Sequence, residues 1–121
     1  IAKDIVSTEG NLVIANHHES ISSVVEKMSK FNISQIPVFN GKEIVGSISE
    51  TNVLSYLFSH PDAKRDSIEP LMNEAFPMVD LSTKLEDISR LITKENAAVM
   101  VQKEDGNYYI ITKQDIIRAI A

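Results

Sequence analysis

A chain of 121 residues with 43% apolar and 24% charged side chains has an ordinary globular composition, long enough for a core but short for an enzyme with a deep site. The absence of cysteine excludes disulfides and thiolate metal sites, and a net charge of −5 argues against a nucleic-acid-binding surface, which is normally basic. No apolar run reaches the roughly 18 residues of a membrane span and no signal peptide is visible, so a cytoplasmic location is expected.

The chain opens on Ile1 rather than methionine and reads as a piece of something longer. Lys3-Asp4-Ile5-Val6 reads as a short helical turn, and Leu12-Val13-Ile14-Ala15-Asn16 as a short strand. In His17-His18-Glu19, adjacent residues of an extended chain would point to opposite faces, and no complementary ligand spacing lies nearby; no metal site is assigned. A helix follows from about Ser20 to Phe31, with Ile21, Val24, Val25, Met28 and Phe31 at helical spacing. Gln35-Ile36-Pro37-Val38-Phe39 is a strand that Pro37 makes an edge or an irregular one. Asn40-Gly41 signals a hairpin, Glu43 to Ile48 the returning strand, and Glu50 to Ser59 a helix with Val53, Leu54, Leu57 and Phe58 apolar. His60 to Asp66 is a polar loop, and Ser67 to Met72 a second short helical turn.

The order then repeats. Phe76-Pro77-Met78-Val79-Asp80 aligns with residues 12–16 at an offset of 64. A helix from Thr83 to about Lys94 has Leu85, Ile88, Leu91 and Ile92 apolar, and Thr83 with Glu86 forms a capping-box pattern. Ala98-Val99-Met100-Val101-Gln102 is a strand, Asp105-Gly106-Asn107 a turn and Tyr108 to Ile111 the returning strand. A helix from Lys113 to Ile120 closes the chain, with Ile116, Ile117 and Ile120 on its apolar face. Met28, Met78 and Met100 are core filler. The expected fold is α/β (α+β in some schemes), two strand–helix–strand–strand–helix units: residues 1–60, a linker at 61–72, and residues 73–121. Half the chain is too small to bury its own apolar faces, so the units are expected to pack around a pseudo-two-fold axis.

Both units end alike. Gly46-Ser47-Ile48-Ser49-Glu50-Thr51-Asn52 and Tyr109-Ile110-Ile111-Thr112-Lys113-Gln114-Asp115 lie 63 residues apart. Each is a strand end, a hydroxyl residue at a helix N-cap and a polar acceptor one turn in. A helix start offers free N–H donors and partial positive charge, suited to a hydroxyl-rich or anionic ligand. A lone Ser or Thr here is more simply a cap, and the alternative role of Asp115 is to favour the helix dipole. The duplication and the repeated acceptor turn the balance toward a ligand at Asp115 and leave Asn52 evenly poised.

This double pattern resembles a tandem CBS-domain pair, or Bateman module, over nearly the whole chain. Ile110, Thr112 and Asp115 fit the family motif, with Tyr109 in place of its glycine; Gly46, Ser49 and Asn52 fit with the weaker Asn. Ile36-Pro37-Val38 is typical of the family's central strand, and Met100 departs from the proline. Residues 33–38, 45–50 and 76–80 look like the C-terminal regulatory region of cystathionine β-synthase-like enzymes, whose pyridoxal-phosphate catalytic domain would lie upstream. The resemblance implies no catalysis by this chain, no cofactor of its own, and an adenosyl effector: S-adenosylmethionine, AMP, ADP or ATP. It carries the stronger pocket onto Ile110, Thr112, Lys113 and Asp115 with Thr8, Leu12, Val13, Ile33 and Ser34. The weaker one falls on Ser47, Ser49 and Asn52 with Pro77, Met78 and Ala97. An ionised Asp bonds ribose hydroxyls about twice as strongly as a neutral acceptor, and Glu50 would repel a phosphate. With no cluster of basic residues for a triphosphate, S-adenosylmethionine or AMP is favoured over ATP.

The resemblance also implies a homodimer through exposed helix faces, with no nucleic acid and no membrane as partner. Two rivals stand beside this reading. One is a module that dimerises its parent and binds nothing, suggested by Asn52, Tyr109 and Met100. The other is a small hydrolase using His17 or His18 with Asp80, for which no activated nucleophile or oriented base is evident.

Overall fold

The computed structural model describes residues 1–5, 12–93 and 97–120. The chain divides into two compact units, Val13–Ala75 and Phe76–Ala121, the latter taking in Ile1–Leu12. In chain order the elements are α1 (Ala2–Ile5), β1 (Ala15–Asn16), α2 (Ile21–Phe31), β2 (Gln35–Asn40), β3 (Glu43–Ser49) and α3 (Glu50–Ser59), then a 3-10 turn at Glu69–Leu71. They continue with β4 (Met78–Val79), α4 (Leu85–Leu91), β5 (Ala98–Gln102), β6 (Tyr108–Thr112) and α5 (Lys113–Ile120). The architecture is mixed α/β, with one three-stranded sheet in each unit.

In the unit Val13–Ala75, β2 lies between parallel β1 and antiparallel β3. Ser20 caps α2, its hydroxyl oxygen accepting the Ser23 N–H at 3.2 Å, and Asn32 ends the helix in the left-handed conformation. The helix buries Ile21, Val24 and Met28 against Ile36, Val38 and Ile48 of the sheet and Val53 of α3. Removing each such side chain from water contributes about 1.5–3 kcal/mol. Pro37 sits in the central strand, yet β1 pairs only with Val38 and Phe39, so at Pro37 β2 has a strand neighbour on one side alone. The register of β2 against β3 shifts immediately after, between Val38 and Phe39. Ile68 and Leu71, in the stretch taken from sequence as a linker, belong to this unit's core. The Ile68 N–H bonds the Glu19 carbonyl at 3.0 Å, which ties that stretch to the start of α2.

In the other unit β5 is central between parallel β4 and antiparallel β6. Its core joins Val99, Val101 and Ile111 of the sheet with Ile88 of α4 and Ile116 of α5. Ala2 of α1 is buried in the same core, and the Ala2 and Lys3 N–H groups bond the carbonyls of Thr83 (2.7 Å) and Leu81 (3.0 Å). The N-terminal turn therefore completes the second copy, while its counterpart at Glu69–Leu71 completes the first.

Four sequence expectations are corrected, beginning with Met78, expected as core filler but 50% exposed. The strands expected over 12–16 and 76–80 shrink to two residues each, because only those pair with the central strand. Helix α4 starts at Leu85 rather than Thr83, with no side-chain cap. The Thr83 hydroxyl is instead captured by Asp80, whose Oδ1 also accepts the N–H (2.9 Å) and hydroxyl (2.6 Å) of Ser82. The apolar faces of α3 and α5 are only part buried. Val53 and Ile116 face their cores, whereas Phe58 and Ile120 are 84% and 73% exposed. Among the described residues no helix is long and apolar enough to cross a membrane.

Candidate functional site

Each unit presents its duplicated motif where the last strand of the sheet becomes a helix. In the unit Val13–Ala75, β3 runs directly into α3 and Ser49 is the N-cap, its Oγ accepting the Asn52 N–H at 3.1 Å. The Glu50 N–H bonds the Ser34 carbonyl at 2.9 Å, which seats this helix start beside the residue that precedes β2. Ile33 and Val13 are half-buried and pack against the core beneath.

The segment after the 3-10 turn lies along β3. Ser47 and Asn73 exchange backbone hydrogen bonds, 3.0 Å from the Ser47 N–H and 2.8 Å from the Asn73 N–H. The buried Ser47 hydroxyl donates to the Glu74 carbonyl at 2.6 Å. Gly46 makes the approach possible, since a Cβ there would stand 2.6 Å from Met72 Cε and 2.8 Å from the Asn73 carbonyl oxygen. Any side chain at 46 would displace backbone. Asn52 faces the same segment, its Nδ2 donating to Asn73 Oδ1 at 2.8 Å and to the Leu71 carbonyl at 3.4 Å. Both donor bonds of its amide thus serve the fold.

At the start of α5, Thr112 and Asp115 cap each other. Asp115 Oδ2 accepts the Thr112 N–H at 2.8 Å and the Thr112 hydroxyl at 3.0 Å, and the Asp115 N–H returns to Thr112 Oγ1 at 3.4 Å. This is the reciprocal arrangement of a capping box. Arg118 Nη2 donates to Asp115 Oδ1 at 2.6 Å from a side chain that is 74% exposed. A carboxylate has about four lone-pair positions, so a ligand hydroxyl can still bond Asp115 or replace Arg118 there. An exposed pair of this kind is worth roughly 0–1 kcal/mol, a small barrier to exchange. Lys113 is exposed at the same helix start.

Met78 and Ile110 fall on the sheet of this unit, and Pro77 and Ala97 immediately precede its strands β4 and β5. Met78 of β4 pairs with Met100, and Met100 pairs with Ile110, so the three form one row across the strands. The Pro77 carbonyl accepts the Met100 N–H at 2.8 Å. Ala97 precedes Ala98, the partner of Thr112. Tyr109, at the position of Gly46, pairs with Val101, and its hydroxyl accepts from Lys103 Nζ at 2.6 Å. Tyr109 is thus engaged in contacts with β5 and the residue after it. Thr8 lies outside the described residues, and Leu12 is half-buried.

Sequence reasoning missed Asn73 and Glu74. The available signal was Gly46 itself, because glycine inside a strand marks a close backbone approach. Which segment approaches was not legible. Glu19, beside the two histidines, is committed elsewhere. Burial raises its pKa, but hydrogen bonds from Ser23 and Lys27 and from the Asn16 N–H outweigh that and hold it below the ordinary carboxylate value.

Two stretches of the chain, residues 2–59 and 67–121, match the CBS domain family. The chain belongs to that family and carries the domain twice. No curated protein matches it. Among solved structures it resembles CBSX2 in complex with AMP, a protein from Arabidopsis thaliana, at 23% identity and a TM-score of 0.77 over 98% of this chain and 94% of that one. It also resembles the CBS-domain protein ATU1752 from Agrobacterium tumefaciens, at 15% identity and a TM-score of 0.84 over 98% of both chains. The CBS domain NE2398 is similar at 22% identity and a TM-score of 0.82, over 98% of this chain and 96% of that one. At these identities the likeness is one of fold.

Proposed function

We propose that this chain is a regulatory module that binds an adenosyl metabolite at its paired CBS domains and controls an attached catalytic domain. The effector is S-adenosylmethionine, AMP, ADP or ATP, with the first two favoured because among the described residues no cluster of basic side chains gathers at either helix start. The parent enzyme is a cystathionine β-synthase-like, pyridoxal-phosphate-dependent lyase of the cytoplasm, and the chain itself has no catalytic role and no cofactor. The observation that carries the reading is the Thr112–Asp115 helix start, where a hydroxyl and an acceptor carboxylate stand one turn apart at the end of β6. A ribose presents two adjacent hydroxyls, and a carboxylate accepts them with charge-assisted bonds. Solution of the relative CBSX2 with AMP supports the same ligand class.

In this reading Thr112, Asp115, Ile110 and Lys113 of one copy act with Thr8, Leu12, Val13, Ile33 and Ser34. Ser47, Ser49 and Asn52 with Pro77, Met78 and Ala97 form the weaker site. Effector binding favours one arrangement of the copies, and the catalytic domain responds through its differential affinity for them. The exposed Leu54, Phe58, Ile117 and Ile120 supply the apolar helix faces of a homodimer.

A second reading, a dimerisation module without ligand, is favoured by one observation: both oxygens of Asp115 already have partners within α5 and its cap. Thermal unfolding of the chain with AMP, ADP, ATP or S-adenosylmethionine at millimolar concentration separates the two. A ligand at about 100 times its Kd stabilises by roughly 2.7 kcal/mol, a shift of several degrees. A shift with one ligand names the effector; no shift with any of the four selects the silent module.

A further inference from the structure

An extended backbone would point His17 and His18 to opposite faces. In the structure the two residues form a turn directly after β1, and their rings stand 3.7 Å apart, centroid to centroid. Both Nδ1 atoms approach the same carboxylate oxygen, Glu69 Oε1, at 3.0 Å for His17 and 3.2 Å for His18. One ligand atom from each of the three residues falls within 4.8 Å of the others. Zinc bonds imidazole nitrogen at about 2.0–2.1 Å and carboxylate oxygen at about 2.0–2.2 Å, which in tetrahedral geometry places neighbouring ligand atoms about 3.3–3.5 Å apart. Nitrogen and oxygen already stand near that spacing.

The cluster is also fixed from behind. The His17 N–H bonds the Phe39 carbonyl at 3.0 Å, and the His18 N–H bonds Asn16 Oδ1 at 2.9 Å. Ser67 links the two segments: its hydroxyl donates to the His17 carbonyl at 3.3 Å and accepts the Glu69 N–H at 3.2 Å. Backbone on both sides is therefore ordered without help from a ligand, which lowers the cost of binding one. The side chain of His17 is 22% exposed and that of His18 is 68% exposed, so an ion can enter and keep water in its remaining positions.

We propose that His17, His18 and Glu69 form a binding site for a divalent transition metal, clasping the turn after β1 to the 3-10 turn at Glu69–Leu71. Two imidazoles and one carboxylate suit Zn²⁺ and its neighbours Co²⁺, Ni²⁺ and Cu²⁺, whereas Mg²⁺ and Ca²⁺ prefer all-oxygen shells. The metal would hold the segment whose continuation, Met72 to Glu74, lies along β3. The site stands apart from the adenosyl reading and does not depend on it.

Calorimetric titration of the tag-free chain with ZnCl₂ tests the proposal, alongside His18→Ala, Glu69→Gln and the control His60→Ala. His60 is the remaining histidine and stacks on Tyr56 instead. His18 and Glu69 are exposed, so their variants should fold, which circular dichroism checks. One equivalent of Zn²⁺ is expected to bind saturably and to raise the unfolding temperature by several degrees. Losing an outer-shell partner weakens metal sites about 10–100-fold, so loss of a direct ligand in His18→Ala or Glu69→Gln should cost at least about 100-fold. His60→Ala should bind as the parent does. No saturable Zn²⁺ binding, or equal binding by all four proteins, would overturn the site.

Discussion

Helices α3 and α5 begin from the same strand end with the same spacing of hydroxyl and acceptor, and they spend the acceptor differently. Asn52 reaches outward, donating to Asn73 and Leu71 of a segment laid along β3. Asp115 folds back onto its own cap, accepting from Thr112, and meets Arg118 one turn on. The difference follows from chemistry. An amide carries donors and an acceptor and can bridge to carbonyls, whereas an ionised carboxylate only accepts and is drawn to free N–H groups and cations. The neighbouring residue deepens the contrast, since Gly46 admits Met72 and Asn73 beside the strand and Tyr109 carries a ring paired with Lys103. The α3 start is thereby built into its unit's fold. The α5 start holds its carboxylate with its own cap and one exposed, exchangeable ion pair.

Equivalent core positions give the largest test of how alike the units are. Ile48 and Ile111 occupy matching strand positions and are 0% and 1% exposed. Truncation to alanine should cost each about 2–5 kcal/mol, read from the urea midpoint. A cost below 1 kcal/mol for either would mean that its unit is not packed as described. The next effect belongs to one unit alone. Gly46→Ala should destabilise by about 1–3 kcal/mol, because backbone at Asn73 must move. Tyr109→Ala should instead cost what its packing and the Lys103 contact supply, with no backbone displaced. If Gly46→Ala is silent in chemical denaturation, the close approach of the 72–74 segment is wrong.

Smaller effects are expected at the caps. Ser49→Ala and Thr112→Ala should each lose about 1 kcal/mol, since each removes an acceptor for a helix N–H. The Thr112 change should be the larger, because it also releases one partner of Asp115. The other pair of helix starts yields the smallest effect. Ser20 caps α2, but before α4 the exposed Asp80 gathers Ser82 and Thr83. The hydroxyls of Ser82 and then Thr83, with the Ser82 N–H, hold the Asp80 pKa below its ordinary 3.8. A carboxylate depressed on folding contributes stability above its unfolded pKa and loses it as pH falls through the lower folded value. The wild type should therefore soften in acid below about pH 4 relative to Asp80→Asn, as a pH series of melts would show. Identical acid profiles would remove that role from Asp80.

Much of the fold was legible because local rules and tertiary packing agree. Helices α3 and α5 and strand β5 have the bounds expected from apolar spacing and hairpin signals, and Ser20 caps α2 where the pattern begins. The failures come where a side chain has two partners available. Thr83 was expected to cap α4, but Asp80 lies three residues before it and competes for the same hydroxyl. Ile68 and Leu71 sit in a polar stretch whose composition hides two core residues. Hydrophobic spacing on α3 could not separate Val53, which is buried, from Phe58, which is exposed. At the candidate site, the cap and acceptor of each copy were legible from spacing alone. Asn73 and Glu69 were not, because each meets its partners across more than twenty residues of chain.

Calorimetric titration with the adenosyl ligand that stabilises most, comparing the chain with Asp115→Ala and Asn52→Ala, tests the contrast between the two helix starts directly. Asp115→Ala is expected to abolish most of the binding, while Asn52→Ala keeps it and changes affinity far less. Equal losses from the two variants, or undiminished binding by Asp115→Ala, would contradict that contrast.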